Sequence, residues 1–169
     1  MINLLLKISL KRFFLAQRLE EVLIQASQRL TLLSRGRFTL KRDKNIRHRA
    51  VQTGLDLNIF DHHTGTERPA STLSGGQMFL ASLSLALGLA DVVQARSGGI
   101  NIEALFIDEG FGSLDEETLQ LALQVLNELR KGRMVGVISH VTELNRQISN
   151  CIEVKKASIG SGIKLVLDK

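Results

Sequence analysis

The sequence predicts an α/β fold containing a parallel sheet, and three observations carry that prediction. An apolar strand, Ala104-Leu105-Phe106-Ile107, is followed by an amphipathic helical stretch from about Glu116 to Leu129 and then by a second apolar strand, Met134-Val135-Gly136-Val137-Ile138. A strand, a helix and a strand in that order form a crossover unit, which places the two strands side by side and parallel. The composition agrees: 169 residues, 44% hydrophobic and 23% charged, with a single proline, make a packed core and exclude a disordered tail.

The first element is a long amphipathic helix. Leu15, Leu19, Val22, Ala26, Leu30 and Leu33 recur at steps of four and three, with Arg18, Glu20, Glu21, Gln25 and Gln28 between them. Continued back through Leu4 and Ile8 it covers about 30 residues near heptad spacing, so residues 1–33 are expected to form a coiled-coil foot and residues 34–169 one lobe. After Ser34-Arg35-Gly36 the period changes to two. Phe38 and Leu40, then Leu55, Leu57 and Ile59, predict two half-buried strands, with a basic connection over 42–49. Asp61 to Thr72, which holds Pro69, predicts a loop. From Ser74 a helix carries Phe79, Leu80, Leu83, Leu87 and Ala90 on one side and small residues on the other, so burial nearly all round is expected. A short helix from about Thr142 and a closing hairpin, Ile152–Lys155 with Ile163–Leu167, complete the chain.

Several function classes drop out. The uncharged stretch from Gly75 ends before Asp91, short of the roughly 20 apolar residues of a membrane span. Lys7, Lys11 and Arg12 interrupt the N-terminal apolar region, so it does not read as a signal peptide. A cytoplasmic protein without a membrane partner is expected. The one cysteine, Cys151, forms neither an internal disulfide nor a multi-cysteine zinc site, and reads as a packing residue.

Charge is uneven. Residues 1–50 hold 12 Lys and Arg against 3 Asp and Glu, a net of +9, whereas residues 51–169 hold 10 against 14, a net of −4. Arg35, Arg37, Lys41, Arg42, Lys44, Arg47 and Arg49 are therefore candidates for contacting the phosphates of a polyanion partner. A solvated basic face accounts for the same composition.

Four short motifs carry chemistry. Leu73-Ser74-Gly75-Gly76-Gln77 opens a helix, where free N–H groups and a serine hydroxyl suit an anion, although an ordinary capped helix start fits the same residues. Asp108 and Glu109 follow the strand Ala104–Ile107 at the sheet edge where open α/β folds place ligands. One carboxylate there suits a hydrated Mg²⁺ and the next an attacking water. Gly110 to Asp115 is a glycine-containing turn, in which Ser113 and Glu116 fit a capping box. If the two strands are neighbours, the one ending Ile138-Ser139-His140 brings an imidazole to the edge shared with Asp108 and Glu109, although a structural His fits the same residues.

In that order and at these spacings, LSGGQ, FIDE, GFGSLD and VISH resemble the C-terminal half of an ABC-type ATPase head. The form FIDEGFGSLDEETL followed by GVISHV is similar to the chromosome-maintenance branch, and within it to the SbcC family of nuclease-associated ATPases, from about residue 13 onward. Gln77 stands where that family would lead one to expect Glu. The resemblance implies ATP and Mg²⁺ as ligands. It assigns Leu73 to Gln77 and Asp115 to nucleotide contact across a head-to-head dimer, Asp108 to the metal, Glu109 to the attacking water and His140 to the γ-phosphate. It also implies an SbcD-like nuclease subunit as partner and double-stranded DNA ends and hairpins as substrate.

No G-x-x-x-x-G-K-[ST] phosphate loop occurs in the sequence, and Gly160 to Lys164 lacks its spacing. The resemblance puts that loop (Walker A) in an N-terminal half across a long coiled coil. Hydrolysis is thus expected only when the two halves combine, and Met1 falling in mid-helix predicts a fragment or split reading frame. The alternative is a truncated remnant that binds other heads or DNA without turnover. An ATP-binding transporter subunit fits less well, because Gly-Phe-Gly follows Glu109.

Overall fold

A computed structural model describes residues 2–43, 56–96, 98, 102–156 and 160–167, with side chains from Phe14 onward except that of Lys131. The expected α/β architecture is present, with three strand groups: β1-β2-β3, the pair β4-β5 and a terminal hairpin β6-β7.

Helix α1 spans Ile2–Leu33. It stops in a Schellman turn: the Gly36 N–H donates to Thr31 O at 2.6 Å and the Arg35 N–H to Leu32 O at 3.2 Å. Arg35 itself takes the left-handed position at φ 53°, and Gly36 follows at φ 82°. Burial begins further along α1 than the periodicity predicts. Val22, Leu23, Ala26, Leu30 and Leu33 are in the core, while Leu15 is 54% exposed.

Strand β1 (Phe38–Arg42) docks on α1 through hydroxyls. Ser27 Oγ donates to Leu40 O and accepts from Leu40 N, each at 3.0 Å, and Thr31 Oγ1 donates to Phe38 O at 3.2 Å. These bonds occupy polar groups on the outer edge of an edge strand, which would otherwise invite pairing with another chain. β1 pairs antiparallel with β2 (Leu57–Asp61), Phe38 opposite Asp61 and Arg42 opposite Leu57. The segment expected as loop contains a third strand, β3 (Thr66–Pro69), antiparallel to β2. Proline ends an edge strand there, a position where its missing N–H costs the ladder little.

Helix α2 (Gly75–Arg96) lies against α1. A Cβ at Gly88 would come within 2.7 Å of Ala26 N and 2.8 Å of Val22 O, so only glycine permits this approach. Arg96 Nη2 pairs with Glu21 at 2.6 Å, and Arg29 with Asp91, on either side of the contact. By length and composition α2 would suffice to cross a membrane, but here Leu80, Leu83 and Leu87 are buried among Leu30, Leu33 and Ile59. Burial is one-sided rather than complete: Leu89 and Val93 are exposed.

β4 (Ala104–Asp108) and β5 (Met134–Ile138) are parallel, with Asp108 opposite Ile138, and α3 (Glu116–Leu129) crosses between them. α3 buries Leu119, Ala122, Leu123, Val125 and Leu126 in the common core. α4 (Thr142–Gln147) contributes Leu144, and β6 (Cys151–Lys156) pairs with β7 (Ser161–Val166) as the closing hairpin. Cys151 is half-buried and free.

Two stability predictions arise from this packing. Gly88→Ala should lose about 1–3 kcal/mol despite alanine's better helix propensity, because its methyl meets backbone rather than a yielding side chain; urea unfolding measures it. Asp61, 2% exposed, accepts from Arg37 Nη2 at 3.0 Å and from the His63 N–H at 3.1 Å. The Arg37 guanidinium holds its carboxyl below the usual range, against the opposing effect of burial. A depressed folded-state value gives stability that is fully present above the unfolded value of about 3.9 and lost as pH falls through the folded one. Thermal melts below about pH 4 should therefore fall more steeply for the wild type than for Asp61→Asn.

Candidate functional site

Parallel pairing brings the predicted residues of β4 and β5 to one edge. The Glu109 N–H donates to Ile138 O at 2.9 Å, continuing the ladder one residue past β4. Immediately afterwards the chain turns sharply, with Glu109 at φ 57° and Gly110 at φ 97°. A left-handed conformation in a residue with a side chain costs about 1–2 kcal/mol, and such positions cluster at functional sites. Here the turn directs the Glu109 carboxylate to His140: Glu109 Oε2 lies 2.9 Å from His140 Nδ1. Both side chains are open to solvent, at 50% and 78% exposed. Asp108 alternates with Ile107 and is exposed on the same face of β4 as Phe106.

The start of α2 forms the second part of the site. Ser74 and Gln77 bond reciprocally, the Ser74 N–H to Gln77 Oε1 at 3.3 Å and the Gln77 N–H to Ser74 Oγ at 3.5 Å. This is a capping box, and it gives the residue at position 77 a role that Gln fills as well as Glu. Gly75 and Gly76 occupy the first turn, where amides lack intrahelical acceptors. Ser74 and Gly75 are exposed, whereas Leu73, Gly76 and Gln77 are half-buried.

A turn at Phe111–Ser113 joins the two parts. A Cβ on Gly76 would sit 2.7 Å from Ser113 O, and one on Gly110 would overlap Phe79 Cδ2 at 2.2 Å, so the helix start rests directly on the segment following Glu109. The Phe79 and Phe111 rings meet edge to face at 4.8 Å between centroids. Periodicity and motif spacing gave no sign of these contacts, because the residues they join lie 31 to 37 positions apart. The expected capping box at Ser113 is corrected: α3 begins at Glu116, so its cap is Asp115, which accepts from the Thr118 N–H at 2.9 Å and from Thr118 Oγ1 at 2.8 Å. Those bonds hold the Asp115 carboxyl below its ordinary range. Ser113 Oγ instead donates to Gly110 O at 2.9 Å.

The chemistry of these groups suits a magnesium nucleotide. Among the described residues no three acidic, His or Cys side chains cluster, while Asp108 is a single exposed carboxylate of the kind that holds Mg²⁺ together with water and phosphate oxygens. The open amides of Gly75 and Gly76, with the Ser74 hydroxyl, suit phosphate oxygens.

The basic candidates are differently disposed. Arg35 pairs with Glu117 at 2.8 Å, which raises its pKa. Arg37 pairs with Asp61 at 3.0 Å, Lys41 with Glu67 at 3.7 Å and Arg42 with Glu20 at 3.0 Å. Each of these four is thus answered by a carboxylate of the same chain. Lys44, Arg47 and Arg49 lie outside the described residues.

Comparison with known proteins gives concordant matches. The family described as SbcC/RAD50-like, Walker B motif, matches residues 50–128. The SbcC subunit of the SbcCD nuclease of Vibrio cholerae is 54% identical over 161 residues, 95% of this chain and 16% of that protein. The corresponding SbcC protein of Treponema pallidum is 49% identical over 93% of this chain and 15% of its own length. Among solved structures, one from work on ATP-driven dimerization and DNA-stimulated activation of SMC ATPases superposes with a TM-score of 0.68 at 14% identity, covering 92% of this chain and 89% of that one. The Smc head domain of Pyrococcus yayanosii gives 0.65 at 15% identity, over 87% of this chain and 27% of that one. With the SMC head fold, and with half its residues identical across a segment that is about one-sixth of those relatives, the chain belongs to the SbcC family.

Proposed function

We propose that this chain is the C-terminal part of an SbcC-like ATPase head. It works in the cytoplasm with an N-terminal half carrying the phosphate loop and with an SbcD-like nuclease subunit, on double-stranded DNA ends. The observation that carries the reading is the meeting of Glu109 and His140, with Asp108 beside them, at the C-terminal edge of a parallel strand pair. A carboxylate at such an edge accepts a proton from water and orients it toward a phosphoryl group. His140 fixes that carboxylate and presents a second ring nitrogen for a phosphate oxygen. Asp108 would hold Mg²⁺, which neutralises developing phosphate charge. The first turn of α2, through Ser74, Gly75 and Gly76, would contact a nucleotide carried by an opposing head, and Asp115 would lie near that junction.

Exposed apolar surface supports the partner half. Phe106, Met134 and Ile138 share one face of β4-β5, and Ile152, Val154, Ile163 and Leu165 are exposed on the hairpin. Strands of parallel sheets are ordinarily covered on both faces. The second reading, a remnant that binds without turnover, rests on the missing phosphate loop.

Two experiments follow. The chain alone should not turn over ATP, and mixing it with the N-terminal half should give steady hydrolysis that Glu109→Gln lowers by about 10²-fold or more, while ATP-dependent dimerisation persists. Hydrolysis by the chain alone, or dimerisation lost with Glu109→Gln, would remove the assigned role. For DNA, the intrachain pairing of Arg35, Arg37, Lys41 and Arg42 shifts the expected contacts to Lys44, Arg47 and Arg49. Reversing those three to Glu in the assembled head should flatten the slope of log K against log salt by roughly 3. An unchanged slope in a duplex-binding titration assigns DNA contact elsewhere.

A further inference from the structure

The contact between Phe79 and Gly110 has no place in the chemistry above, yet it lies one residue from Glu109. Phe79 is on α2, one turn beyond Gly75 and Gly76. Its Cδ2 and Cε2 atoms occupy the space a Gly110 Cβ would take, at 2.2 and 2.4 Å, so the ring rests on the Gly110 backbone. The ring also packs edge to face against Phe111, which is 1% exposed. The backbone there is doubly left-handed, Glu109 at φ 57° and Gly110 at φ 97°. Which rotamers the Glu109 side chain can adopt, and so where its carboxylate points, depends on its own left-handed backbone, which the turn through Gly110 continues.

We propose that Phe79 is a positioning residue: through its ring, the helix opened by Ser74-Gly75-Gly76-Gln77 holds the Glu109–Gly110 backbone and so sets the Glu109 carboxylate against His140. Three contacts make this one mechanical unit. Phe79 holds Gly110, Ser113 Oγ bonds Gly110 O at 2.9 Å, and Ser113 O closes against Gly76 at the helix start. A displacement of the first turn of α2, of the kind a phosphate docking there would produce, is passed to Glu109 over a single ring. The connection is short and made of packed atoms on both sides, which is the physical requirement for coupling between neighbouring sites. The proposal rests on the reading of Glu109 as the residue that orients water.

The test uses Phe79→Leu, which keeps an apolar side chain but removes the ring, and Phe79→Tyr, which keeps the ring. In the assembled head, Phe79→Leu should lower kcat for ATP by about ten- to a hundredfold with KM little changed, because misplacement of a catalytic group acts on turnover rather than on binding. Phe79→Tyr should restore most of kcat. In the full chain alone, the imidazole resonances of His140 should move in Phe79→Leu toward those of Glu109→Gln, with the core methyls of Leu83 and Leu87 unmoved. Unmoved His140 resonances overturn the proposal whatever the hydrolysis assay gives, as does a loss of kcat shared equally by Phe79→Tyr or accompanied by displaced core methyls. If the wild-type assembled head hydrolyses nothing, or hydrolyses independently of Glu109, the reading of the site fails, and the His140 resonances still decide whether Phe79 sets the carboxylate.

Discussion

At Gly88 the backbone of α1 fills the space that any side chain would need, and this close crossing of α1 and α2 fixes the frame on which the other elements hang. Packing at such a distance lets Leu87 on one helix and Leu30 on the other share a core with Ile59 and Phe38. From α1, Ser27 and Thr31 hold the edge of β1. From the opposite end of α2, Gly76 and Phe79 hold the turn that follows β4. The relation between the helix start and Glu109 is therefore set by rigid packing, and the ion pairs Arg96–Glu21 and Arg29–Asp91 flank the crossing rather than create it. An exposed pair such as Arg96–Glu21 contributes on the order of 1 kcal/mol or less, whereas each fully buried leucine contributes about 2 kcal/mol.

Much of the fold was legible because its signals are local. Periodicity located α1, α2, α3, β4, β5 and the hairpin, since a helix or strand repeats its apolar positions over neighbouring residues. The site motifs were legible for the same reason: each is a run of four to six residues. β3 was missed because four residues with three polar side chains and a proline carry no alternation, and only its pairing with β2 makes it a strand. The cap of α3 was misplaced by two residues because Ser113 and Asp115 are both good caps in sequence, and the choice depends on where the preceding turn ends. The Glu109–His140 contact could be anticipated only as neighbouring strand ends; the left-handed turn that directs the carboxylate is a property of the folded backbone.

Charge illustrates the same division. The +9 balance of residues 1–50 suggested a polyanion partner, but composition counts charges without their neighbours. Glu20, Asp61, Glu67 and Glu117 come from four different segments to meet Arg42, Arg37, Lys41 and Arg35. For Arg37 the pairing is structural, since Asp61 is buried and a carboxylate left there without its guanidinium would be costly. The carboxylates of the other three pairs are exposed, and surface pairs of this kind contribute on the order of 1 kcal/mol or less.

The distribution of apolar surface bears on how this segment exists as a folded unit. Its core lies between α1, α2, α3 and the β1-β2-β3 sheet, so the inner face of β4-β5, through Leu105, Ile107, Val135 and Val137, is covered. Its other face presents Phe106 at 66% exposure with Met134 and Ile138 beside it. Parallel strands are ordinarily covered on both faces, and apolar patches of this kind mark sites of association. The edge that carries the candidate site is attached to that same pair of strands: Glu109 follows β4 and His140 follows β5. Whatever covers Phe106 and Ile138 therefore also stiffens the register that keeps Glu109 Oε2 beside His140 Nδ1. Cover on the Phe106 face and the placing of the Glu109 carboxylate are in this way linked, although that face supplies no group to the Glu109–His140 contact.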